Sequence, residues 1–332
     1  MNPDGSSSGS GTAASVGLAW AALGADTTGS IADPSSKHNL VGIKPAMGLT
    51  SRYLVVPISE HQDTVGPMAR TVKDAAYLLS AVAGSDKNDN YTYASPFGEK
   101  PPDYAAAYKP TEHTIEAFNS ALDVLREQGA EVVDDIFLTG AADMASRKYS
   151  PFVTGPDMMA DIPRYFSQLK TNPNNITTMI RLREFIQRDV REEYPEKGTQ
   201  AWDRGISRGY DNTSPMWWEN HSAQAELAGP RGIAGALKEH SRCHGPPHGV
   251  SEHACSSFRQ PVPVGRTPDD APLPFGLGFT GARFGEEVLV EIAYAFEQAT
   301  MLRKTIVACI QPETELKDVV GKTAQTNGNL EL

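Results

Sequence analysis

The stretch that decides the fold is GSSSGSGTAASVGLAWAALGADTTGSIADPSSKHNLVGIKPAMGLTSR, residues 5–52. Small residues dominate it: a Ser/Gly-rich loop over 4–12 precedes a small, apolar segment over 13–24, and a second small-residue turn follows at 25–31. The apolar segment has no polar face to present to water, so we predict a helix there that packs against other elements. LVGIKP, which ends at Pro45, is predicted as a short buried strand.

Hydrophobic periodicity predicts the elements that follow this stretch. The helix predicted over Thr71–Gly84 is the clearest, because its apolar residues share one face and its last residue supplies a C-terminal stop. The other predicted helices are Thr114–Gln128, Ile176–Glu193 and Glu286–Arg303, and the predicted strands are Tyr53–Pro57 and Ala130–Leu138. A helix followed by a strand indicates the α/β class. The apolar residues of 241–265 follow neither the period of a helix nor that of a strand. The polar tail over 313–332 is predicted to fray.

Composition and charge exclude several functional classes. The 332 residues include 30 Lys and Arg against 41 Asp and Glu, a net charge of -11 with no basic stripe, which excludes a nucleic-acid partner and attraction to an anionic membrane. The apolar run over 13–23 is too short to span a bilayer, and residues 1–10 carry no secretory signal. Three cysteines make no disulfide framework, so we predict a cytoplasmic protein, whose oligomeric state cannot be predicted from the sequence.

The two Ser/Gly loops, at 4–12 and 25–31, have the composition that a hydrolase uses around its nucleophile. Glycine allows a substrate carbonyl to approach the backbone, and successive backbone N–H groups can point at a developing negative charge on oxygen. Loops of this composition are more often linkers or turns. Composition alone therefore leaves both interpretations open.

The order of the residues closely resembles the amidase signature. That signature runs GGSSGGSA, an alanine-rich helix, GxDxGGSIRxP and GxxGxKPTxGRxS, and residues 5–52 follow it in sequence. HQDTVGPMARTVKDAAYLLSAVAG at 61–84 and PFGLGFTGARFGEEVLVEIAYAFEQAT at 274–300 continue the resemblance, which is strongest to fungal amidases. The resemblance implies a single amidase-signature domain over 1–332, of the α/β class, with a mixed twisted sheet covered by helices on both sides.

The resemblance also implies a Ser–cis-Ser–Lys mechanism that hydrolyses carboxylic amides through an acyl-enzyme. The family's nucleophile falls on Ser30 and its relay serine on Ser6, with a cis peptide bond expected between Gly5 and Ser6 and with Ser7 in a supporting position. A buried lysine would accept a proton through Ser6 and free the Ser30 hydroxyl to attack the amide carbonyl. No cofactor is expected, because this chemistry uses side chains and water.

The oxyanion hole that the resemblance implies consists of the backbone N–H groups of Thr27, Thr28, Gly29 and Ser30. Asp26 matches the family's aspartate and is expected to brace this loop without reacting, although a plain Asx turn is nearly as good an interpretation. Thr28 departs from the family, which usually has glycine there, and adds a Cβ beside the loop.

Further departures concern the lysine and two other regions. The family's triad lysine lies many tens of residues before the serine loop, so we expect it to be absent and the fold to be incomplete, truncated at the N-terminus. Lys37 and Lys44 match no catalytic position, and Lys44 is expected to be structural. Ala32 stands where many members have Arg. Residues 241–265 stand where the family has apolar strand sequence, and their composition indicates an altered gene product.

Two other kinds of site are weighed and set aside. Potential metal ligands cluster in the atypical segment, at Cys243, His244, His248, His253 and Cys255. Their spacing fits no zinc pattern, so no metal site is predicted. GSSSG at 5–9 satisfies the GxSxG pattern with Ser7 at its centre, but no strand is predicted before it and no Asp and His follow in a matching context.

Three functional hypotheses remain. The first is an amide hydrolase that acts on a small-molecule amide and whose substrate is set by pocket residues in the variable middle of the chain. The second is a catalytically inactive amidase remnant that binds an amide or an acid. The third is a protein like the A subunit of an amidotransferase, which would need partner subunits.

Overall fold

The computed structural model describes residues 5–98, 100–106, 126–127, 136, 138–145, 153–239, 256–266 and 272–300. The chain forms two compact units. The sheet unit comprises Met1–Ser51, Thr64–Asp134 and Cys255–Leu332, and the helical unit comprises Arg52–Asp63 and Asp135–Ala254. The prediction of a single domain over 1–332 stays a prediction.

The elements of the described residues are, in chain order, α1 Ser8–Ser15, β1 Ala21–Asp26, α2 Ala32–Lys37, β2 Val41–Lys44, β3 Thr64–Ala69, α3 Val72–Val82, α4 Ala141–Ala145, α5 Thr154–Gln168, α6 Met179–Arg188, α7 Gln200–Ser207, α8 Pro215–Ala228, α9 Ile233–Glu239, β4 Ser256–Arg266, β5 Pro272–Gly281 and α10 Glu286–Thr300. Two short 3-10 helices lie at Asn90–Ala94 and Val190–Glu192. None of the described helices is long and apolar enough to cross a membrane.

One five-stranded sheet organises the sheet unit, in the order β1-β3-β2-β4-β5. All four pairings between described strands are antiparallel. Because β1 and β2 both run antiparallel to β3, their C-terminal residues, Asp26 and Lys44, point to the same edge of the sheet. Asp26 is paired with Thr64 at the start of β3. This arrangement places the end of β1, which leads into the second Ser/Gly loop, on the same side as the end of β2, with the start of β3 between them.

Helices cover both faces of the sheet. Successive side chains of a strand point to opposite faces, so each face contributes its own buried residues. On one face, Val41, Ile43 and Ala69 belong to the larger buried cluster with residues of α3 and α10. On the other face, Met68 packs in a smaller buried cluster with residues of α1 and of the α2 region, which are Ala14, Ile31 and Leu40. The α/β class is therefore confirmed.

Several predicted elements are confirmed near their predicted bounds. LVGIKP contains β2, and the helix predicted over Thr71–Gly84 is α3, whose N-cap Thr71 accepts a hydrogen bond from the Asp74 N–H. Within Ile176–Glu193, the structure has α6 followed by a 3-10 helix. The start of the helix predicted over Glu286–Arg303 is confirmed by α10. Thr114–Gln128 and Ala130–Leu138 lie almost wholly outside the described residues, as does the tail over 313–332.

Two predictions are wrong in the described part of the chain. In place of one helix over 13–24, α1 begins at Ser8 in the segment predicted as loop and ends at Ser15, and β1 follows, because pairing with β3 decides the conformation of 21–26. Tyr53–Pro57 is a turn and not a strand, since Val55 N–H bonds to Arg52 O and Leu54 has a φ of 60°. The folding of the segment 241–265 could not be predicted from the sequence, and its residues from Ser256 onward belong to β4, which pairs with β2 and β5.

The helical unit has a buried polar cluster where its first segment meets α5. The Asp157 side chain accepts hydrogen bonds from the Ser59 hydroxyl and from Asn212 Nδ2, and its Oδ1 lies 3.2 Å from His61 Nδ1. Asp161 Oδ2 accepts a hydrogen bond from the backbone N–H of Glu60, at 2.8 Å. Two aspartates of α5 therefore hold the 59–61 segment.

The tryptophans of the middle region divide between core and surface. Trp217 is buried, and its indole N–H donates to Val153 O at 3.1 Å. Trp218 is 52% exposed and meets Trp217 edge-on. Trp217 therefore has the core role that is commonest for such aromatic residues.

Candidate active site

The two Ser/Gly loops lie against each other in the structure. The Ser7 backbone N–H donates a hydrogen bond to Ser30 O, with an N···O distance of 3.1 Å, and the Ser7 hydroxyl donates to Ala25 O at 3.1 Å. The peptide bond between Gly5 and Ser6 is cis, as the resemblance implies. The predicted relay serine therefore directly precedes a residue that is hydrogen-bonded to the predicted nucleophile.

A glycine on β1 makes this close approach sterically acceptable. A Cβ placed on Gly24 would lie 2.8 Å from Ser7 Oγ and 2.9 Å from Ile31 Cγ1. Any side chain at position 24 would therefore displace the Ser7 hydroxyl from the strand. The absence of a side chain at Gly24 lets the first loop lie directly over β1.

Asp26 braces the second loop through its carboxylate. Oδ1 accepts a hydrogen bond from the Gly29 N–H at 2.8 Å, and Oδ2 accepts from the N–H groups of Ile31 and Ala32 at 2.7 and 3.3 Å. Asp26 is also buried, with 1% of its surface exposed. One carboxylate therefore holds both sides of Ser30 by the backbone, which is more than the single contact of a plain Asx turn.

Lys44 neutralises this buried carboxylate. Its ammonium group donates to Asp26 Oδ1 at 2.8 Å, to Asp26 O at 3.2 Å and to Thr27 O at 2.7 Å. Burial by itself raises the pKa of Asp26, but the charge and hydrogen bond of Lys44, with the backbone N–H groups of Ile31 and Gly29, outweigh burial and hold that pKa below its usual value. Lys44 therefore occupies a structural position, and the Asp26 carboxylate is ionised at neutral pH.

The conformation of the second loop depends on Gly29. Its φ is +113°, a region that residues with a Cβ rarely adopt, and a Cβ there would lie 2.5 Å from Asp33 Oδ2. Thr28 is not among the residues with a positive φ. The backbone therefore needs glycine at position 29 and accepts the threonine by which this chain departs from the signature at position 28.

The loop offers two backbone donors to an incoming group. The Gly29 N–H, which the resemblance assigns to the oxyanion hole, donates to Asp26 in this structure. Among the described residues, the N–H groups of Thr28 and Ser30 have no protein acceptor. Two donors of this kind, on either side of a glycine with positive φ, can stabilise a negatively charged oxygen.

Three residues that tie the two loops together were not predicted from the sequence. His38 contacts Thr12 of α1 through its ring and Ser15 of α1 through its carbonyl oxygen. The pairs are separated by 26 and 23 positions in the chain, and no short motif links them.

The metal ligands considered from Cys243 to Cys255 lie outside the described residues. Within the described residues, no group of three or more His, Cys, Asp or Glu residues could hold a metal ion.

Comparisons with known proteins agree with the resemblance. A family model described as Amidase matches residues 1–154. A putative amidase of Arthroderma benhamiae is 40% identical, over 96% of this chain and 60% of the relative. The A subunit of the glutamyl-tRNA(Gln) amidotransferase of Geobacter metallireducens is 30% identical, over 90% of this chain and 67% of the relative. The chain belongs to the amidase family.

Solved structures show the same relationship within the amidase family. The peptide amidase of Stenotrophomonas maltophilia is 31% identical and superposes with a TM-score of 0.72, over 90% of this chain and 66% of that one. The chain spans about 60% of the length of its fungal relative. The Amidase match over residues 1–154 includes both serine loops, Asp26 and Lys44.

Proposed function

We propose that this chain carries the serine part of an amide-hydrolysing site, with Ser30 as nucleophile and Ser6 as the relay. The observation that carries the proposal is the hydrogen bond from the Ser7 N–H to Ser30 O, because it brings the two loops of the amidase signature to one place. The relatives called amidase, and the peptide amidase among the solved structures, give the same reaction class.

In the proposed reaction, Ser6 takes up the proton of the Ser30 hydroxyl and passes its own proton to a neutral lysine amine, the base that the resemblance implies and that no described lysine supplies at Ser6. The freed Ser30 Oγ attacks the amide carbonyl carbon, and a negative charge develops on the carbonyl oxygen. The proton returns to the leaving amine as the carbon–nitrogen bond breaks, and water then hydrolyses the acyl-enzyme. The substrate proposed is a small carboxylic amide, and the reaction uses no cofactor.

The oxyanion hole in this proposal is the backbone from Thr27 to Ser30. The N–H groups of Thr28 and Ser30 are the donors, because Asp26 engages the N–H of Gly29. Asp26 acts by holding the loop in shape, and Gly29 supplies the conformation that exposes its neighbours. Preorganised donors of this kind are typically worth 10²–10³-fold in rate, roughly, because they need no reorganisation as charge develops.

A second function, binding without turnover, is favoured by the position of Lys44. Its ammonium group donates to acceptors on Asp26 and Thr27, so we assign it no proton transfer. Within the described residues, no lysine is hydrogen-bonded to the side chain of Ser6 or Ser30. An unassisted serine hydroxyl is a poor nucleophile, so a chain without a base at Ser6 would bind an amide or an acid and not cleave it. A third function, like that of the amidotransferase relative, rests on that relative alone.

A fluorophosphonate probe separates the first two functions. We expect slow labelling of the purified chain, complete loss of labelling in Ser30→Ala, and a large decrease in Ser6→Ala. Ser10→Ala is the matched control, since Ser10 lies in the same segment and its hydroxyl donates to Leu23 O. Labelling that persists in Ser30→Ala would exclude Ser30 as the nucleophile. A folded chain that binds an amide and takes up no probe would support binding without turnover.

A further inference from the structure

The side chain of His38, the residue that follows α2, contacts both α1 and α2. His38 Nε2 lies 3.0 Å from the Thr12 hydroxyl oxygen on α1, and Nδ1 lies 2.8 Å from Pro34 O on α2. In addition, the Ser15 hydroxyl donates to His38 O at 2.8 Å. Together with its backbone N–H, which also donates to Pro34 O, His38 therefore makes two hydrogen bonds to α1 and two to α2.

The acceptor at Nδ1 fixes which ring nitrogen carries the proton. Pro34 O can only accept, so His38 Nδ1 carries a hydrogen and donates to it. In the neutral ring Nε2 is then an acceptor, and the Thr12 hydroxyl donates to it. In the charged ring Nε2 donates to the Thr12 oxygen instead. The geometry of the bridge therefore suits either arrangement of the ring protons.

The bridge and the serine contact lie at opposite ends of the two helices. At the N-terminal ends, Ser7 N–H bonds to Ser30 O. At the C-terminal ends, His38 bonds to Thr12 and Ser15. Two elements joined at both ends have little freedom to rotate or slide against each other. The position of the first loop relative to the second is therefore set at two points.

A glycine favours the close approach of α1 to the imidazole. A Cβ placed on Gly11 would lie 3.0 Å from His38 Nδ1 and 3.3 Å from Met68 Cε. Gly11 is buried, one position before the residue that bonds to the ring. The helix is therefore shaped to receive the imidazole, which is a second observation in favour of a specific role.

We propose that His38 is a positioning residue for the serine pair, a role that rests on the function proposed above. It acts through α1 and α2, and its ring contacts Thr12 and Pro34, not the serines that would react. Displacements of about 1 Å far from the chemistry can lower a rate by roughly 10²-fold, because reacting groups must stay aligned. Loss of the bridge should therefore slow the reaction of Ser30 with a fluorophosphonate probe and leave the affinity for that probe unchanged.

Matched substitutions at Thr12 test the bridge without removing the imidazole. Thr12→Val keeps the shape of the side chain and removes the hydroxyl, whereas Thr12→Ser keeps the hydroxyl. We expect Thr12→Val to lower the maximal rate of fluorophosphonate labelling by about 3- to 10-fold at an unchanged half-saturating probe concentration, with Thr12→Ser close to the unaltered chain. His38→Ala should show at least the same loss, and Thr12→Val added to it should cause little further loss, since both remove the same bond.

Amide hydrogen exchange at Ser7 gives a second measurement that does not require catalysis. The Ser7 N–H reports directly on its bond to Ser30 O, so its exchange should be faster in Thr12→Val than in Thr12→Ser. Equal Ser7 exchange in these two variants, both folded by far-UV circular dichroism, would overturn the proposal for His38. Additive losses in the double variant would overturn it as well. If instead Ser30→Ala is labelled as fast as the unaltered chain, the function proposed for Ser30 fails. The Ser7 exchange rates still decide the role of His38 in that case.

Discussion

Lys44 Nζ lies 2.8 Å from Asp26 Oδ1, and this pair joins the ends of two strands that flank β3. The Asp26 side chain is completely buried, and that of Lys44 is 20% exposed. Because the same carboxylate holds the backbone around Ser30, the ion pair connects the sheet directly to the candidate nucleophile. The shape of the loop therefore depends on an electrostatic contact within the sheet.

Lys44→Met should destabilise the chain and impair the loop. The substitution leaves the Asp26 carboxylate buried without a counter-charge, so the free energy of unfolding should fall by about 3 kcal/mol at pH 7. A folded-state pKa below the usual carboxyl value means that Asp26 contributes stability above that usual value and loses it as pH falls through the folded-state pKa. The difference between the two proteins should therefore shrink in acid, which urea titrations at pH 7 and pH 3 would measure.

The control for this prediction is Lys37→Met. Lys37 is an exposed lysine at the end of α2, a few residues before Lys44. Its replacement should change the free energy of unfolding by about 0.5 kcal/mol or less. Equal effects of the two substitutions would contradict a specific role for Lys44.

Gly29→Ala should distort the second serine loop. A Cβ at this position would collide with the Asp33 carboxylate and would require a φ that alanine rarely adopts, so the backbone must move. We expect a loss of about 1–3 kcal/mol in stability and loss of Ser30 labelling by a fluorophosphonate.

Gly9→Ala provides the comparison for the substitution at Gly29. Gly9 is an exposed residue of α1, and a Cβ added to it would have no atom within 4 Å. Alanine favours a helix over glycine, so this variant should be as stable as the unaltered chain or slightly more stable. A Gly29→Ala variant that labels as fast as Gly9→Ala would show that the loop does not need its observed backbone shape.

The stability of the helical unit should depend on pH through Asp161. Burial, followed by the nearby carboxylate of Glu60, raises the pKa of Asp161 to about 7 from an ordinary value of 3.8. Between these two values the folded state binds a proton that the unfolded state has released, so the free energy of unfolding falls as pH rises. The slope from this group is at most about 1.4 kcal/mol per pH unit.

Asp161→Asn should remove this slope, because the amide oxygen can still accept from the Glu60 N–H and does not titrate. Urea titrations between pH 4 and pH 7 would compare it with Glu196→Gln, which removes an exposed carboxylate of the same unit. An unchanged slope in Asp161→Asn would assign the pH dependence to other groups.

Trp217→Phe should weaken the core of the helical unit. The substitution removes the indole N–H that bonds to the buried Val153 O, which then keeps only the Asp157 N–H as a donor. Together with the smaller ring, this should lower the free energy of unfolding by about 2–4 kcal/mol. Trp218→Phe changes a half-exposed ring on the same helix and should cost less than about 1 kcal/mol. Unfolding followed by far-UV circular dichroism would measure both, and equal losses would contradict the core role of Trp217.

The sequence was most informative where residue identity itself is the signal. The serines of the two loops, Asp26 and the glycine at position 29 could be placed because each satisfies a local chemical requirement of the signature. The conformation of 13–24 could not be predicted, because the Ala and Gly residues of that segment give no helical or strand periodicity. β1 forms only through its pairing with β3. His38 gave no signal either, since its partner Thr12 is 26 positions away and both residue types are common on surfaces.

The two serine loops, the aspartate brace, its lysine and the His38 bridge all fall within residues 5–44. Among the described residues, the groups that shape the proposed serine site, apart from β3 and the residues that pack on the sheet, therefore come from one short run of the sequence. This run can be exchanged as a single cassette between relatives, with the β1 and β2 registers against β3 kept as the splice boundaries. Chimaeras built in this way would carry a whole loop geometry from one background to another, and the source of any change in reactivity could be assigned to that run.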